Sequence, residues 1–236
     1  MIVIKFGGHA MSDEHGAFAK AISNAIATGV TPVVVHGGGP QIGEALKAAA
    51  IETSFVGGFR VTTPETFEVV ERVLINEVGP SVARSLADHG VNAVAISGRS
   101  SGTLVAKALT TLVDGTPADL GLVGVISSVN PKAVNELVAA GKVPVISPIA
   151  TSEDGAHGYN VNADLAAAAI AGGLPSAASA DGRRLIPYFY GNHGLPKFFA
   201  LSPFRKAVIG PYPRGVFAGF GATQPLLGRV LRVRSR

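Results

Sequence analysis

Two hydrophobic rhythms alternate along the first 174 positions. The run "IVIKF" at 2–6 is short, β-branched and stopped by Gly7 and Gly8, as a buried strand would be. Next comes "EHGAFAKAISNAIATG", where Phe18, Ile22, Ala25 and Ile26 fall at helical spacing before Gly29 closes the segment. "TPVVVHGGGP" at 31–40 is a second buried strand running into three glycines. Pro40 lands in the first turn of the helix predicted for "PQIGEALKAAA", where a missing N–H costs nothing. A longer helix is expected over "TPETFEVVERVLINEV" at 63–78, with Thr63 as N-cap, an interruption at Gly79-Pro80 and a resumption in "SVARSLADHG". "NAVAIS" at 92–97 and "KVPVIS" at 142–147 read as strands, "NPKAVNELVAAG" at 130–141 as a helix, and 162–171 as an Ala-rich helix. "LVAKALT" and "LVGVISSV", around the turn-rich "VDGTPADLG", predict an inserted antiparallel pair.

Strand and helix in alternation predict an α/β fold of three αβα layers, with a mainly parallel central sheet covered by helices on both faces. No repeat of 20–50 residues interrupts this order.

The pattern stops near Pro175, and composition changes with it. Residues 1–174 carry 10 basic and 15 acidic side chains, a balance of −5; residues 175–236 carry 10 basic residues and Asp181 alone, a balance of +9. The net charge of +4 therefore belongs to the tail, which also holds 9 of the 15 Phe and Tyr and 7 of the 15 Pro. Two segments are expected: a folded unit at 1–174 and a basic, Pro-, aromatic- and Arg-rich tail at 175–236 with no period of 2 or 3.6. The tail reads as a different reading frame or a misjoined piece. A basic appendix for nucleic acid or an anionic membrane is the rival, disfavoured because no RNA-binding signature or amphipathic helix organises the charges. The absence of Cys rules out disulfides and thiolate metal sites. With no signal-peptide pattern and no apolar run of about 18 residues, the expected location is the cytoplasm, without a membrane partner.

In open parallel sheets, ligands bind beyond the carboxyl ends of the strands. Three strand-end segments share a character there. "KFGG" sets Lys5 before two glycines, "HGGGPQ" offers three glycines, and "YNVNAD" brings amides and Asp164 to a helix start. Glycines let backbone N–H groups approach an anion, and a helix N-terminus adds a favourable dipole. Singly, each has a plainer reading: Gly-Gly as a turn, Lys5 as a solvated residue, Asn160 and Asp164 as helix caps. Neither GxxxxGK[ST] nor GxGxxG is present.

Taken together, "KFGGHAM", "PVVVHGGGPQI", "GGFRVT", "GLVGVISSVNP" and "NVNAD", in this order, resemble the acetylglutamate kinases of arginine biosynthesis, within the amino acid kinase superfamily, over about residues 1–174. The resemblance implies transfer of the γ-phosphoryl of ATP, bound with Mg²⁺, to the side-chain carboxylate of N-acetyl-L-glutamate. A carboxylate is already a nucleophile, so catalysis reduces to positioning and charge neutralisation. The resemblance gives Lys5 and Asp164 catalytic roles, the first neutralising the transferred group and the second orienting the lysines. Gly7 and Gly8 would bind ATP phosphates. Gly38 and Gly39 would hold acetylglutamate, Arg60 its α-carboxylate and Asn160 its backbone, with no metal ligands from the protein. It also implies a homodimer through the 63–88 helical region. Arginine-regulated members have a helix before the first strand, so arginine inhibition is not implied here. The family's second catalytic lysine and its ATP loop find no match after Leu174, so 1–174 is expected to be the substrate-binding lobe and turnover is expected to be slight.

Overall fold

A computed structural model describes residues 1–7, 16–112 and 114–174, and the backbone of two short strands at 187–190 and 197–198. The central sheet contains β1 (Ile2–Phe6), β2 (Pro32–His36), β5 (Ala93–Ser97), β8 (Val143–Ser147), β11 (Pro187–Tyr190) and β12 (Lys197–Phe198), in the order β12-β11-β1-β2-β8-β5. All neighbours are parallel except β11 and β12. Alternation along each strand sends successive side chains to opposite faces. Ile4, Val34 and Val145 join one core with Phe18, Leu46, Val70 and Leu86, from helices α1 (Ala17–Ala27), α2 (Gly39–Ala48), α3 (Pro64–Arg72) and α4 (Gly79–Ala87). Val3, Val33 and Ile146 join the other with Val134 of α5 (Lys132–Ala139) and Ile170 of α6 (Ala163–Gly173). Because both faces are covered, β2 and β8 are buried along their whole length. The three-layer expectation holds.

Four features differ from the sequence reading. The helix that opens at Pro64 is not interrupted at Gly79-Pro80. It passes through a π-helical turn at Val73–Val78 into α4, and the Gly79 N–H closes onto the Leu74 carbonyl. Pro80 has no N–H to give and its ring would crowd an ordinary α turn; the wider π turn absorbs both effects. The inserted pair, β6 (Leu104–Ala108) and β7 (Val123–Val129), is antiparallel as expected, but it belongs to a closed four-stranded barrel with β9 (Ile149–Ser152) and β10 (Gly158–Val161). Gly124 lets β7 and β10 touch, since a Cβ there would lie 2.6 Å from the Tyr159 Cβ. Asn160 therefore sits in a strand rather than at a helix start, and the α6 cap is Asn162, whose side chain accepts from the N–H groups of Asp164 and Leu165. Finally, the tail is not wholly without periodic structure, because β11 pairs with β1.

The Thr63 cap is as expected: its hydroxyl accepts from the Thr66 N–H at 3.1 Å, with Pro64 and Glu65 opening the helix behind it. Thr63→Ala should cost about 1 kcal/mol of stability, read as a lower denaturant midpoint with unchanged slope.

Candidate functional site

The site grows from two adjacent strand ends. β1 and β2 run in parallel register from Ile2↔Pro32 to Phe6↔His36, so both glycine loops leave the sheet side by side. Gly37 N–H donates to the Phe6 carbonyl at 2.7 Å. A Cβ on Gly7 would lie 3.5 Å from the Gly37 Cα and 3.1 Å from Lys5 Cε, so a side chain there would fill the space between the loop and the lysine. Gly8 lies outside the described residues.

Lys5, one residue before the end of β1, projects from the sheet to Asp164 on the first turn of α6, with Nζ 3.3 Å from Oδ1. The two side chains keep 18% and 33% of their exposure, so the pair borders solvent and a ligand could reach it. Because Asn162 does the capping, the Asp164 carboxylate is free to meet the lysine. The helix dipole favours an acid in that turn.

A second group of residues gathers beyond β2. Gly38 is the N-cap of α2, and a Cβ there would meet Leu74 Cδ2 at 2.5 Å, so the absence of a side chain lets the π-helical turn pack onto the loop. Gly39 is exposed, and its carbonyl accepts from Arg60 Nη2 at 3.4 Å. Arg60 ends a small hairpin of β3 (Phe55–Val56) and β4 (Phe59–Arg60). Its Nη1 donates to Thr53 Oγ1 at 2.5 Å, and the guanidinium lies 4.6 Å from the Phe55 ring centroid. Partial burial lowers its pKa, which marks a cation already stripped of some water. Asn160, on β10, donates from Nδ2 to Thr62 Oγ1 at 3.2 Å, and Thr62 Oγ1 donates to the Arg60 carbonyl at 2.8 Å.

Thus Lys5, Gly7 and Asp164 gather at one end, while Gly38, Gly39, Arg60 and Asn160 are tied together at the other. The chain itself joins the two ends: Asn160 and Asp164 are four residues apart, across the step from β10 to α6. Sequence reasoning missed Thr62, a fully buried polar residue inside the quoted "GFRVT" segment. It also missed His36. That ring is fully buried, with Nδ1 2.7 Å from the Gly37 carbonyl and Nε2 2.9 Å from Ser147 Oγ. The carbonyl can only accept, so Nδ1 carries the proton of the neutral ring, and the one Ser147 hydroxyl hydrogen is shared between Nε2 and the Leu74 carbonyl, to which it donates at 3.1 Å. Burial pushes the ring's pKa down to about 4, partly offset by the bond to Gly37. Among the described residues, no three His, Asp or Glu side chains converge to hold a metal ion, and no helix is long and apolar enough to cross a membrane.

The comparisons with known proteins give the family. The family model described as "Amino acid kinase family" matches residues 1–177. The chain belongs to the amino acid kinase family. Within that family it is similar to the acetylglutamate kinase of Nocardia farcinica, 49% identical over 176 residues, which are 74% of this chain and 58% of the relative. The acetylglutamate kinase of Rhodococcus jostii is 46% identical over 173 residues, covering 72% of this chain and 56% of the relative. The chain thus spans less than two thirds of the length of these amino acid kinases. The crystal structure of smu.665 from Streptococcus mutans UA159 superposes with a TM-score of 0.65 at 28% identity, covering 72% of this chain and 66% of the other.

Proposed function

We propose that residues 1–174 are the acceptor-binding lobe of an acetylglutamate kinase, which phosphorylates the side-chain carboxylate of N-acetyl-L-glutamate to N-acetyl-L-glutamyl 5-phosphate in arginine biosynthesis. The observation that carries this reading is the linkage of Gly39 to Arg60 and, through Thr62, of Arg60 to Asn160, with Asp164 of the Lys5–Asp164 pair four residues along the chain from Asn160. A dicarboxylate fits such an arrangement. Arg60 takes the α-carboxylate in its planar fork, Gly38, Gly39 and Asn160 take the rest of the backbone, and the side-chain carboxylate extends toward Lys5.

The phosphate end fits a nucleotide in one respect that the structure exposes, the space at Gly7 that a Cβ would fill, next to Lys5. Gly7 and Gly8 would present N–H groups to ATP phosphates, and Mg²⁺ would arrive with the nucleotide rather than on protein ligands. When bound, ATP supplies the phosphoryl group. Lys5 neutralises charge at that group, and Asp164 holds the Lys5 ammonium in place. No base is needed for an acceptor already ionised. We include in the proposal a homodimer through the 63–88 helical region and little turnover by the 236-residue chain alone, since no lysine after Leu174 matches the family's second one.

Calorimetric titration of the full chain tests the acceptor assignment. N-acetyl-L-glutamate should bind, and L-glutamate should bind at least tenfold more weakly, because its α-ammonium would sit beside the Arg60 guanidinium. Equal affinity for the two, or heat from neither, would reject the reading.

A further inference from the structure

Thr62 occupies a place in this site that the functional reading does not use. It is 0% exposed and held through its backbone on both sides: its N–H donates to the Leu120 carbonyl at 2.9 Å and its carbonyl accepts from the Leu122 N–H at 2.7 Å. A Cβ at the intervening Gly121, where φ is +65°, would lie 2.3 Å from the Thr62 oxygen. The residue is therefore clamped, and its hydroxyl has a defined direction.

That direction settles the orientation of Asn160. The Arg60 carbonyl can only accept, so the single hydroxyl hydrogen of Thr62 is spent on it, at 2.8 Å. What Thr62 then offers Asn160 is lone pairs. The carboxamide must answer with an N–H, which is the Nδ2 donation at 3.2 Å. Turned through 180°, Asn160 would set Oδ1 against the Thr62 oxygen, and relieving that repulsion would break the buried bond to Arg60. Rotation about the last carboxamide torsion is otherwise easy, so Thr62 decides the outcome.

We propose that Thr62 is a positioning residue that fixes Asn160 with its carbonyl oxygen available to ligand, and so selects acceptors bearing an N–H at the α position over isosteres that carry oxygen there. The inference rests on the reading of Asn160 as a substrate contact. An N–H ligand donates to Oδ1. An ester in the same place sets one acceptor against another, an arrangement a hydrogen-bonding site rejects strongly.

The test compares N-acetyl-L-glutamate with (S)-2-acetoxyglutarate, its ester isostere, by calorimetry on the full chain in wild type, Thr62→Val and Thr62→Ser. Wild type should favour the amide by at least about tenfold, one well-formed hydrogen bond's worth. Thr62→Ser keeps the hydroxyl and should keep that ratio. Thr62→Val frees the carboxamide to turn, so the two affinities should converge to within about threefold, chiefly because the ester gains. A folded Thr62→Val protein that keeps the wild-type ratio overturns the inference and leaves the functional reading standing. Wild type that binds neither ligand overturns both. If Thr62→Val does not fold, amide exchange in wild type decides: one Asn160 carboxamide proton should exchange slowly, and rapid exchange of both would refute the fixed orientation.

Discussion

Arg60→Ala is expected to weaken N-acetyl-L-glutamate binding by about 2–3 kcal/mol, roughly thirtyfold to more than a hundredfold, the scale of a charge-assisted hydrogen-bonded pair. The structure explains why the effect should be this large. The guanidinium is already directed by Thr53, by the Gly39 carbonyl and by the Phe55 ring, so little side-chain entropy remains to be lost when an anion arrives. Partial burial has also removed some of its water, which pushes its pKa down, and a carboxylate would restore that lost solvation. Arg60→Lys should recover only part of the loss, because an ammonium cannot make the two parallel bonds of the fork. Calorimetry on the three proteins measures it. Equal affinity in wild type and Arg60→Ala would remove Arg60 from the site.

Acid should destabilise the fold through His36 by about 3 kcal/mol, because burial holds its ring's pKa down to about 4 in the folded protein. The ring titrates at about 4 when folded and at about 6.5 when unfolded. Between those values the unfolded chain binds the extra proton, so this contribution is complete above pH 6.5 and is lost as pH falls toward 4. The chemistry is local. A protonated ring would donate from both nitrogens, to the Gly37 carbonyl and to Ser147 Oγ, while Ser147 donates to the Leu74 carbonyl at 3.1 Å, so the cost is that of a fully buried cation with water removed. Denaturant unfolding as a function of pH measures the slope, which should flatten over this window in His36→Gln. An unchanged slope in that variant would assign the acid sensitivity to other groups.

The sheet was readable because local sequence and global fold agree there. Val3 and Ile4, or Val145 and Ile146, need only the two-residue strand period to reach opposite cores, and Thr63 and Pro40 act within one helical turn. The barrel was not readable. Its strands β9 and β10 have four residues each, and their identity depends on pairing with β6 and β7 far along the chain. The π-helical turn was likewise hidden, since Gly79-Pro80 ordinarily ends a helix and only the packing of His36, Ser147 and Leu74 carries it through. In the site, motif order pointed to Lys5, Asp164, Arg60 and Asn160, and the structure brings Lys5 to Asp164 and Arg60 to Gly39. Asn162 was overlooked because Asn160 is an equally good capping residue by type, and only the end of β10 separates their tasks. Thr62 carried a signal, a polar residue within "GFRVT", but its hydroxyl gains meaning only when Arg60 and Asn160 are in place around it.

The measurement that bears most directly on the account is an ATP-dependent hydroxylamine assay for acyl phosphate on the full 236-residue chain, with N-acetyl-L-glutamate as acceptor and Lys5→Ala as control. In-line transfer brings an anionic acceptor against the ATP phosphates, and Lys5 with one Mg²⁺ leaves much of that charge unbalanced. Acceptor binding is therefore expected by calorimetry, with hydroxamate no higher than in Lys5→Ala. Sustained hydroxamate formation that disappears in Lys5→Ala would contradict it, and would assign the second cation and the nucleotide pocket to residues after Leu174.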